Sequence, residues 1–350
     1  MMEILTIKFG VIPRTCAPAI TSLYTTMFKR AYAESVALKT SEKERHPFKD
    51  LHPWKSITEF STDLVNNVIY NQDGLVVINK PYGIGEARTV VKQQYHHIPN
   101  AVDYTLQDAL PHIAAQLKYP ELTTVRKPEK YMTGVTLLAA DPKVEKAVET
   151  SLRRGNNFTK TYWVITTRVP RMLKGKEQLA MKLESSNRYK YRQPVIKTSW
   201  YNNAIKDGKM KILNVEFNVL SNSTLNLCSL VQIRASTQKW HSLRLFASTF
   251  LYSPILGDDL YASRIQKVGH VYVQVDPFQE STKLPAKLDK QILHLLNIGS
   301  AQQHIIPVHI HLRSIALPSF LGKGKDLIVE APLIPPFDWT CERLEFKYLM

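Results

Sequence analysis

The feature that most constrains the fold is an uncharged run of six residues, 135–140, with the sequence Val-Thr-Leu-Leu-Ala-Ala. A run without charge or polar alternation is typical of a strand that is buried on both faces. The segment before it, 125–134, is charged and contains turn-forming residues. Side chains at the mouth of a buried strand are held rigidly, which a catalytic group requires. We therefore expect functional residues within 125–134.

Other elements are predicted on both sides of this run. Residues 68–70 and 75–78 have the pattern of two strands, joined by the turn sequence Asn-Gln-Asp-Gly. Thr105 is a predicted helix N-cap. Asp141 is a second, because a proline follows it at the first helical position. The chain is thus expected to combine strands with helices.

Composition indicates a polyanionic partner. The chain has 350 residues, and Lys and Arg outnumber Asp and Glu by 46 to 30, for a formal charge of +16. Such a balance favours binding to nucleic acid or to an anionic membrane surface. The three cysteines (Cys16, Cys228 and Cys341) are far apart, so neither a disulfide framework nor a zinc site is predicted. No apolar window is long enough for a membrane span, and none is expected.

The N-terminal segment has the composition of a mitochondrial transit peptide. Residues 1–33 contain four basic side chains and a single acid, Glu3, among hydroxylated and apolar residues. Arg30 and Tyr32 also resemble the Arg-x-Tyr site of the mitochondrial processing protease. We predict that residues 1–32 are a transit peptide for the mitochondrial matrix; an ordinary disordered terminus is the alternative. Residues 33–67 are predicted to be an N-terminal arm.

A strongly basic stretch at 168–211 contains twelve Lys and Arg residues and only three acids. Tyrosines and a tryptophan are interleaved with these cations. Phosphates attract cations and unstacked bases need flat aromatic faces, so this mixture is suited to RNA. We predict RNA contacts at Arg188, Lys190 and Arg192. A solvated basic loop is the alternative.

Several motifs, in order along the chain, resemble those of the RluA-type RNA pseudouridine synthases. The sequence Asn-Lys-Pro-Tyr-Gly at 79–83 matches the family's Asn-Lys-Pro-x-Gly, and 254–261 matches its Pro-x-x-Gly-Asp-x-x-Tyr. Residues 160–162 resemble the family's Lys-x-Tyr strand. The segment 237–244, Thr-Gln-Lys-Trp-His-Ser-Leu-Arg, resembles its Thr-Gly-Arg-Thr-His-Gln-Ile-Arg. The pattern is most similar to the mitochondrial branch of the family.

The resemblance implies roles for particular residues. Aligned on the Thr133-Gly134 pair, Arg-Lys-Pro-Glu at 126–129 stands where the family has its catalytic His-Arg-Leu-Asp, so Glu129 replaces the nucleophilic aspartate. The family's tyrosine against the target uracil is Tyr162. The family's arginine, which pairs with the catalytic acid, is Arg244 and would face Glu129. RNA contacts are further implied for four residues: Lys80, Arg126, Lys127 and His241.

The resemblance also implies a fold. The fold class is α+β: the pseudouridine synthase catalytic fold, with a mixed, mainly antiparallel central sheet flanked by helices and loops. This domain is expected at 68–330, with a C-terminal extension at 331–350. The family flips the target uridine into its site and uses neither cofactor nor metal. Accordingly, His309 and His311, which share one strand face, are expected to pack beside the core rather than bind a metal.

Two functions remain open. In the first, the protein isomerises uridine in mitochondrial mRNA or rRNA with Glu129, Tyr162 and Arg244. In the second, it is an inactive RNA-binding factor in mitochondrial ribosome assembly or transcript handling. Displacing a catalytic group by about 1 Å can reduce the rate about 100-fold, and the longer glutamate shifts the carboxylate by about that much. The expected partners are RNA and ribosome assembly factors, and the expected state is a monomer.

Overall fold

A mixed sheet of eleven strands forms the framework of the part of the chain that this computed structural model describes, residues 45–88, 98, 101–155 and 158–347. The strands are β1 (Val68–Gln72), β2 (Leu75–Lys80), β3 (Thr123–Arg126), β4 (Thr133–Ala139), β5 (Lys160–Thr166), β6 (Lys174–Ser186), β7 (Tyr189–Lys197), β8 (Met210–Asn222), β9 (Ser229–Ala235), β12 (Ile310–Leu317) and β13 (Leu327–Glu330). A separate pair contains β10 (Ile265–Val268) and β11 (Val271–Gln274). The predicted transit peptide lies outside the described residues.

The sheet is mainly antiparallel, as predicted. Its order is β1-β2-β4-β12-β5-β9-β8-β6-β7, with β3 beside β4 and β13 beside β12. Strand β12 runs parallel to β4, whereas it is antiparallel to β5 and β13. In this strand order, β4 and β5 lie on opposite sides of β12, and they are the two strands nearest the predicted catalytic residues.

Strand β4 is buried on both faces, which confirms the prediction made from its apolar run. Leu137 packs into one hydrophobic cluster, and the next residue, Leu138, packs into another. Gly134 at its start has a φ of +114°, and a Cβ there would lie 2.3 Å from the carbonyl oxygen of Leu312. Only glycine therefore permits the close approach of β4 to β12 at this point.

Helices cover the sheet. They are α1 (Ile57–Asn66), α2 (Leu106–Gln116), α3 (Pro142–Arg154), α4 (Asn202–Lys206), α5 (Ser242–Leu245), α6 (Lys290–Leu295) and α7 (Phe337–Arg343). Both predicted N-caps are confirmed. Thr105 forms a reciprocal capping box with Asp108, and Asp141 accepts from the backbone N–H groups of Lys143 and Val144.

The compact unit extends beyond the predicted domain at both ends, because Pro47–Met350 cluster together. Phe60 and Leu64 of α1 are fully buried in the cluster that also contains residues of α2 and β2. Phe337 and Cys341 of α7 are buried in another cluster. The predicted limits at 68 and 330 therefore do not coincide with the limits of this unit.

His309 and His311 are packing residues. Nε2 of His309 lies 2.7 Å from Thr340 Oγ1, and Nδ1 of His311 lies 2.8 Å from Thr133 Oγ1. Burial lowers the pKa of His311 to about 4. Within the described residues, no group of three or more His, Cys, Asp or Glu side chains could hold a metal ion. No helix in that same part of the chain is long and apolar enough to cross a membrane.

Candidate functional site

The loop between β3 and β4 and the turn after β9 bring three polar side chains together. Oε2 of Glu129 lies 3.1 Å from Nδ1 of His241, and the hydroxyl of Tyr131 lies 2.8 Å from the same nitrogen. Burial and then the negative charge of Glu129 raise the pKa of Tyr131 well above its ordinary value. The Tyr131 phenol is therefore neutral at physiological pH and can donate a hydrogen bond within this group.

Arg244 belongs to a neighbouring ion-pair network. Its Nε donates to Oδ1 of Asp258 at 3.0 Å, and its Nη2 donates to the same oxygen and to Asp259 Oδ1 at 3.1 Å. Only 2% of Arg244 is exposed. Burial alone would lower the pKa of Arg244, but the carboxylates of Asp258 and Asp259 raise it above its ordinary value. The guanidinium is thus permanently charged and neutralised by these two acids.

The expected ion pair between Glu129 and Arg244 is therefore wrong for this structure. The acid that meets Arg244 is Asp258, whose Oδ1 also accepts from the backbone N–H groups of Leu260 and Tyr261. These bonds hold the Asp258 carboxylate against Arg244 without a contact from Glu129. A buried guanidinium requires a counter-charge, and Asp258 supplies it from within the tight loop that follows Gly257.

Tyr131 connects the two groups. The Arg244 guanidinium carbon lies 4.8 Å from the centroid of the Tyr131 ring, a distance typical of a cation–π contact. The hydroxyl of the same tyrosine faces His241. Only 4% of Tyr131 is exposed, so its ring fills the space beside Arg244. Tyr131 therefore contacts both Arg244 and the group formed by His241 and Glu129.

Tyr162, the residue expected to lie against uracil, is fully buried. Nε2 of Gln238 donates a hydrogen bond to its hydroxyl, and this glutamine stands at the glycine position of the family motif. Burial and the negative charge of Glu129 raise the pKa of Tyr162 well above its ordinary value. A direct contact between Glu129 and Tyr162 stays a prediction. Gln238 covers the polar end of Tyr162.

The turn that carries His241 has an unusual backbone. Trp240 and His241 are consecutive non-glycine residues with φ values of 56° and 53°. Left-handed conformations of this kind cost of order 1–3 kcal/mol each and persist where the surrounding structure determines them. Hydrogen bonds to Thr237 support the turn, because the hydroxyl of Ser242 donates to its carbonyl oxygen. The strained turn directs His241 toward Glu129 and Tyr131.

Lys80 has no surface for RNA, so the predicted contact at this residue is wrong. Lys80 is 0% exposed, and its Nζ donates to the carbonyl oxygens of Pro81 at 2.9 Å and Ile84 at 3.1 Å. Burial lowers the pKa of Lys80 well below its ordinary value. The lysine therefore holds the loop 79–83 in shape from inside.

Arg126 and Lys127 lie at the surface beside the site. Arg126 pairs with Glu149 at 3.2 Å, and Lys127 pairs with Glu86 at 2.8 Å. Surface ion pairs of this type contribute little to stability, so phosphates can compete for these cations. RNA binding at both residues stays a prediction.

The β6–β7 hairpin places Arg188, Lys190 and Arg192 in solvent, where a nucleic acid could reach them. Tyr189 is half-buried, whereas Tyr191 is 42% exposed. Their rings pack against each other, with centroids 5.2 Å apart, and against Phe278. The hairpin therefore offers cations and the exposed part of Tyr191, and RNA contacts at Arg188, Lys190 and Arg192 stay a prediction.

Three residues of the site were not singled out from the sequence: Tyr131, Gln238 and Asp258. Asp258 lies within the recognised 254–261 motif, and a buried arginine must meet some acid, so the two facts together could have identified it. Gln238 could have been found as the replacement of the motif glycine. Tyr131 carried no signal, because it occupies a position without a specified residue type in the motif.

Comparison with known proteins identifies relatives of this chain. No protein-family model matches the chain. The human mitochondrial mRNA pseudouridine synthase RPUSD3 is 28% identical over 308 residues, which cover 86% of this chain and 82% of that protein. The human mitochondrial pseudouridylate synthase RPUSD4 is 29% identical over 287 residues, which cover 78% of this chain and 67% of that protein.

A solved structure shows the same fold. The human RNA pseudouridylate synthase domain-containing protein 4 superposes with a TM-score of 0.61 and 23% identity, covering 83% of this chain and 97% of the solved chain. The predicted α+β fold class is thereby confirmed. The chain is thus similar over most of its length to mitochondrial pseudouridine synthases and has the fold of the human RNA pseudouridylate synthase domain-containing protein 4.

Proposed function

We propose that this protein binds RNA in the mitochondrial matrix through a pseudouridine synthase scaffold and does not isomerise uridine through Glu129. One observation carries the proposal: the side chains of the site are engaged with one another. Gln238 covers the hydroxyl of Tyr162, and Arg244 is neutralised by Asp258 rather than by Glu129.

The chemistry explains why this matters. Isomerisation requires a flipped uridine beside a carboxylate, with reacting atoms about 3–3.5 Å apart. Here the tyrosine that would support the uracil is fully buried, and Tyr131 fills the space beside Arg244. A uridine could enter only after Gln238 and Tyr131 had moved. Glu129 would then act without the arginine that orients the acid in the family.

RNA binding has independent support. The chain carries a formal charge of +16, and the β6–β7 hairpin exposes Arg188, Lys190 and Arg192. The relatives are mitochondrial, and one is named for its action on mRNA, which supports a mitochondrial location and an RNA partner. We further propose that the protein acts as a monomer in transcript handling or ribosome assembly.

A slow synthase is the second candidate, and one observation favours it. Glu129 remains at the mouth of the site, with 30% of its side chain exposed and its charge felt by Tyr162. His241 contacts the Glu129 carboxylate, and Tyr131 contacts His241. These two side chains could therefore hold the carboxylate and exchange a proton with it.

The test is pseudouridine mapping of mitochondrial RNA after gene knockout, with rescue by wild type, Glu129→Ala or the control Glu149→Ala. We expect all three proteins to restore RNA levels equally, with no pseudouridine that depends on Glu129. A modified position that is lost in the knockout and restored by wild type and Glu149→Ala, but not by Glu129→Ala, would contradict the proposal and establish the synthase.

A further inference from the structure

A cavity of about 210 Å³ lies between the β6–β7 hairpin and the segment that follows β11. Its walls include Ile196 of β7, Leu245 of α5 and Thr249. The polar groups of its lining belong to Arg264, Gln274, Asp276 and the ion pair of Lys197 with Glu184. Leu245 follows Arg244 directly in the chain, so α5 borders both this cavity and the candidate site. The side chains that line the cavity are nevertheless different from those that form the candidate site.

Arg264 is the unusual feature of this cavity. Only 4% of the residue is exposed, yet its one side-chain hydrogen bond in the described structure runs from Nη2 to Gln193 Oε1 at 2.6 Å. No carboxylate of the described residues lies within 4.0 Å of the guanidinium, in contrast to the doubly paired Arg244. Its remaining N–H groups are thus available to an acceptor in the cavity.

The electrostatic surroundings of Arg264 favour binding of an oxygen acceptor. Burial lowers the pKa of Arg264, and the electrostatic effects of Tyr261, Asp258 and Asp276 only partly offset this effect. A buried guanidinium is stabilised by oxygen acceptors that replace its lost hydration. Asp276, which is exposed and lines the cavity, accepts a backbone N–H from Phe278 with Oδ1.

Strand β7 connects this cavity to the proposed RNA surface. Arg192 is exposed on the hairpin, and the next residue, Gln193, holds Arg264. Residues from Pro194 to Lys197 then line the cavity itself. An RNA strand whose phosphates follow the cations of β7 would therefore pass the cavity mouth, where a base could turn inward.

We propose that this cavity binds one unpaired keto base, uracil or guanine, of the bound RNA. A keto base presents a carbonyl acceptor next to a ring N–H: the carbonyl accepts from Arg264, and the N–H donates to Asp276. Adenine and cytosine present an amino donor at the equivalent position, which would face the donors of Arg264. The inference rests on the proposed RNA binding and adds a base preference to it.

The first test measures binding of the full chain to short, fluorescein-labelled single-stranded RNAs that differ at one central base in a cytidine background. We expect wild type to bind the uracil and guanine versions about tenfold more tightly than the adenine and cytosine versions. Arg264→Gln should abolish this preference. The matched control Arg192→Gln should weaken all four complexes by the same factor, because it contacts phosphate.

The outcomes separate the two proposals. Wild-type protein that binds none of the RNAs contradicts the proposed function itself. Equal binding of all four RNAs by wild type, or an equal loss for all four with Arg264→Gln, overturns only the assignment of the cavity. In a second test, which needs no substitution, wild type is photocrosslinked to RNA containing 4-thiouridine or 6-thioguanosine. We expect crosslinks at residues 194–197 or 274–277; crosslinks confined to other segments would overturn the assignment.

Discussion

The loop at 79–83 and the turn at 237–244 both carry motifs that resemble those of pseudouridine synthases, but different interactions stabilise them. In the loop, backbone geometry fixes the residues: Lys80 donates to main-chain carbonyls, and Gly83 has a φ of +78° where a Cβ would collide with Ile98. In the turn, side chains hold one another, as Gln238 holds Tyr162. The four specified residues of the loop keep their motif identity, whereas Gln238 in the turn replaces the motif glycine with a side chain that bonds Tyr162.

Substitution of Asp258, the principal partner of the buried Arg244, is expected to have the largest effect on stability. Asp258→Ala leaves Arg244 buried with only the partly exposed Asp259, and we expect the free energy of unfolding to fall by about 3–5 kcal/mol. Asp259→Ala, with a side chain that is 39% exposed, should lower it by less than about 1 kcal/mol. Urea denaturation measures both. Equal effects of the two substitutions would show that Asp258 is not the principal partner.

A pH effect is expected from His311, which bonds Thr133 at the start of β4. Its folded pKa of about 4 is below the ordinary 6.5, so the unfolded state binds more protons between these values. Stability should therefore be full above pH 6.5 and fall by about 3 kcal/mol as the pH is lowered through 4.

Urea denaturation across this pH range checks the expectation. His311→Gln should have a flatter pH profile, while the exposed His304→Gln should retain the wild-type profile. A His311→Gln profile as steep as that of wild type would assign the loss of stability to other groups.

The contact between Gln238 and Tyr162 predicts a smaller effect in the site itself. Gln238→Ala leaves a buried hydroxyl without its partner and should lower the free energy of unfolding by about 1–3 kcal/mol. Adding Tyr162→Phe should recover part of this loss, because the orphaned hydroxyl is removed. Gln178→Ala, an exposed glutamine bonded to Asn214, serves as the control with little change. Strict additivity of the two site substitutions would argue against the contact.

The smallest expected effect is on the salt dependence of RNA binding, which should differ between an exposed cation and a buried one. Arg192→Gln should reduce the slope of log binding constant against log salt by about 0.7 for single-stranded RNA. Lys80→Met should leave the slope unchanged, because Lys80 has no exposed surface. Anisotropy titrations over a range of salt concentrations measure both slopes. A reduced slope for folded Lys80→Met would place this lysine near phosphate after all.

Local patterns in the sequence predicted much of the fold. The uncharged run identified β4, and the capping residues Thr105 and Asp141 identified α2 and α3, because these features depend on neighbours in the chain. The motif alignment also singled out Glu129 and His241, whose side chains lie 3.1 Å apart. The limits of the compact unit were not predictable from composition, since α1 and α7 become part of it through tertiary packing.

Partners of charged groups could not be predicted in the same way. Arg244 could pair with any acid that the fold brings near it, and the tight loop brings Asp258 closer than Glu129. The sequence showed that Lys80 is charged, but not that main-chain carbonyls surround it. Likewise, the packing of Tyr189 and Tyr191 depends on Phe278, which is distant in the chain.

The most direct test of the central claim is the amount of pseudouridine that the purified full chain forms in mitochondrial transcripts, measured by mass spectrometry. The closed arrangement of Gln238, Tyr162 and Arg244 predicts no pseudouridine above that in a reaction without protein. Formation of pseudouridine in proportion to the enzyme, abolished by Glu129→Ala and retained by Glu149→Ala, would contradict the account.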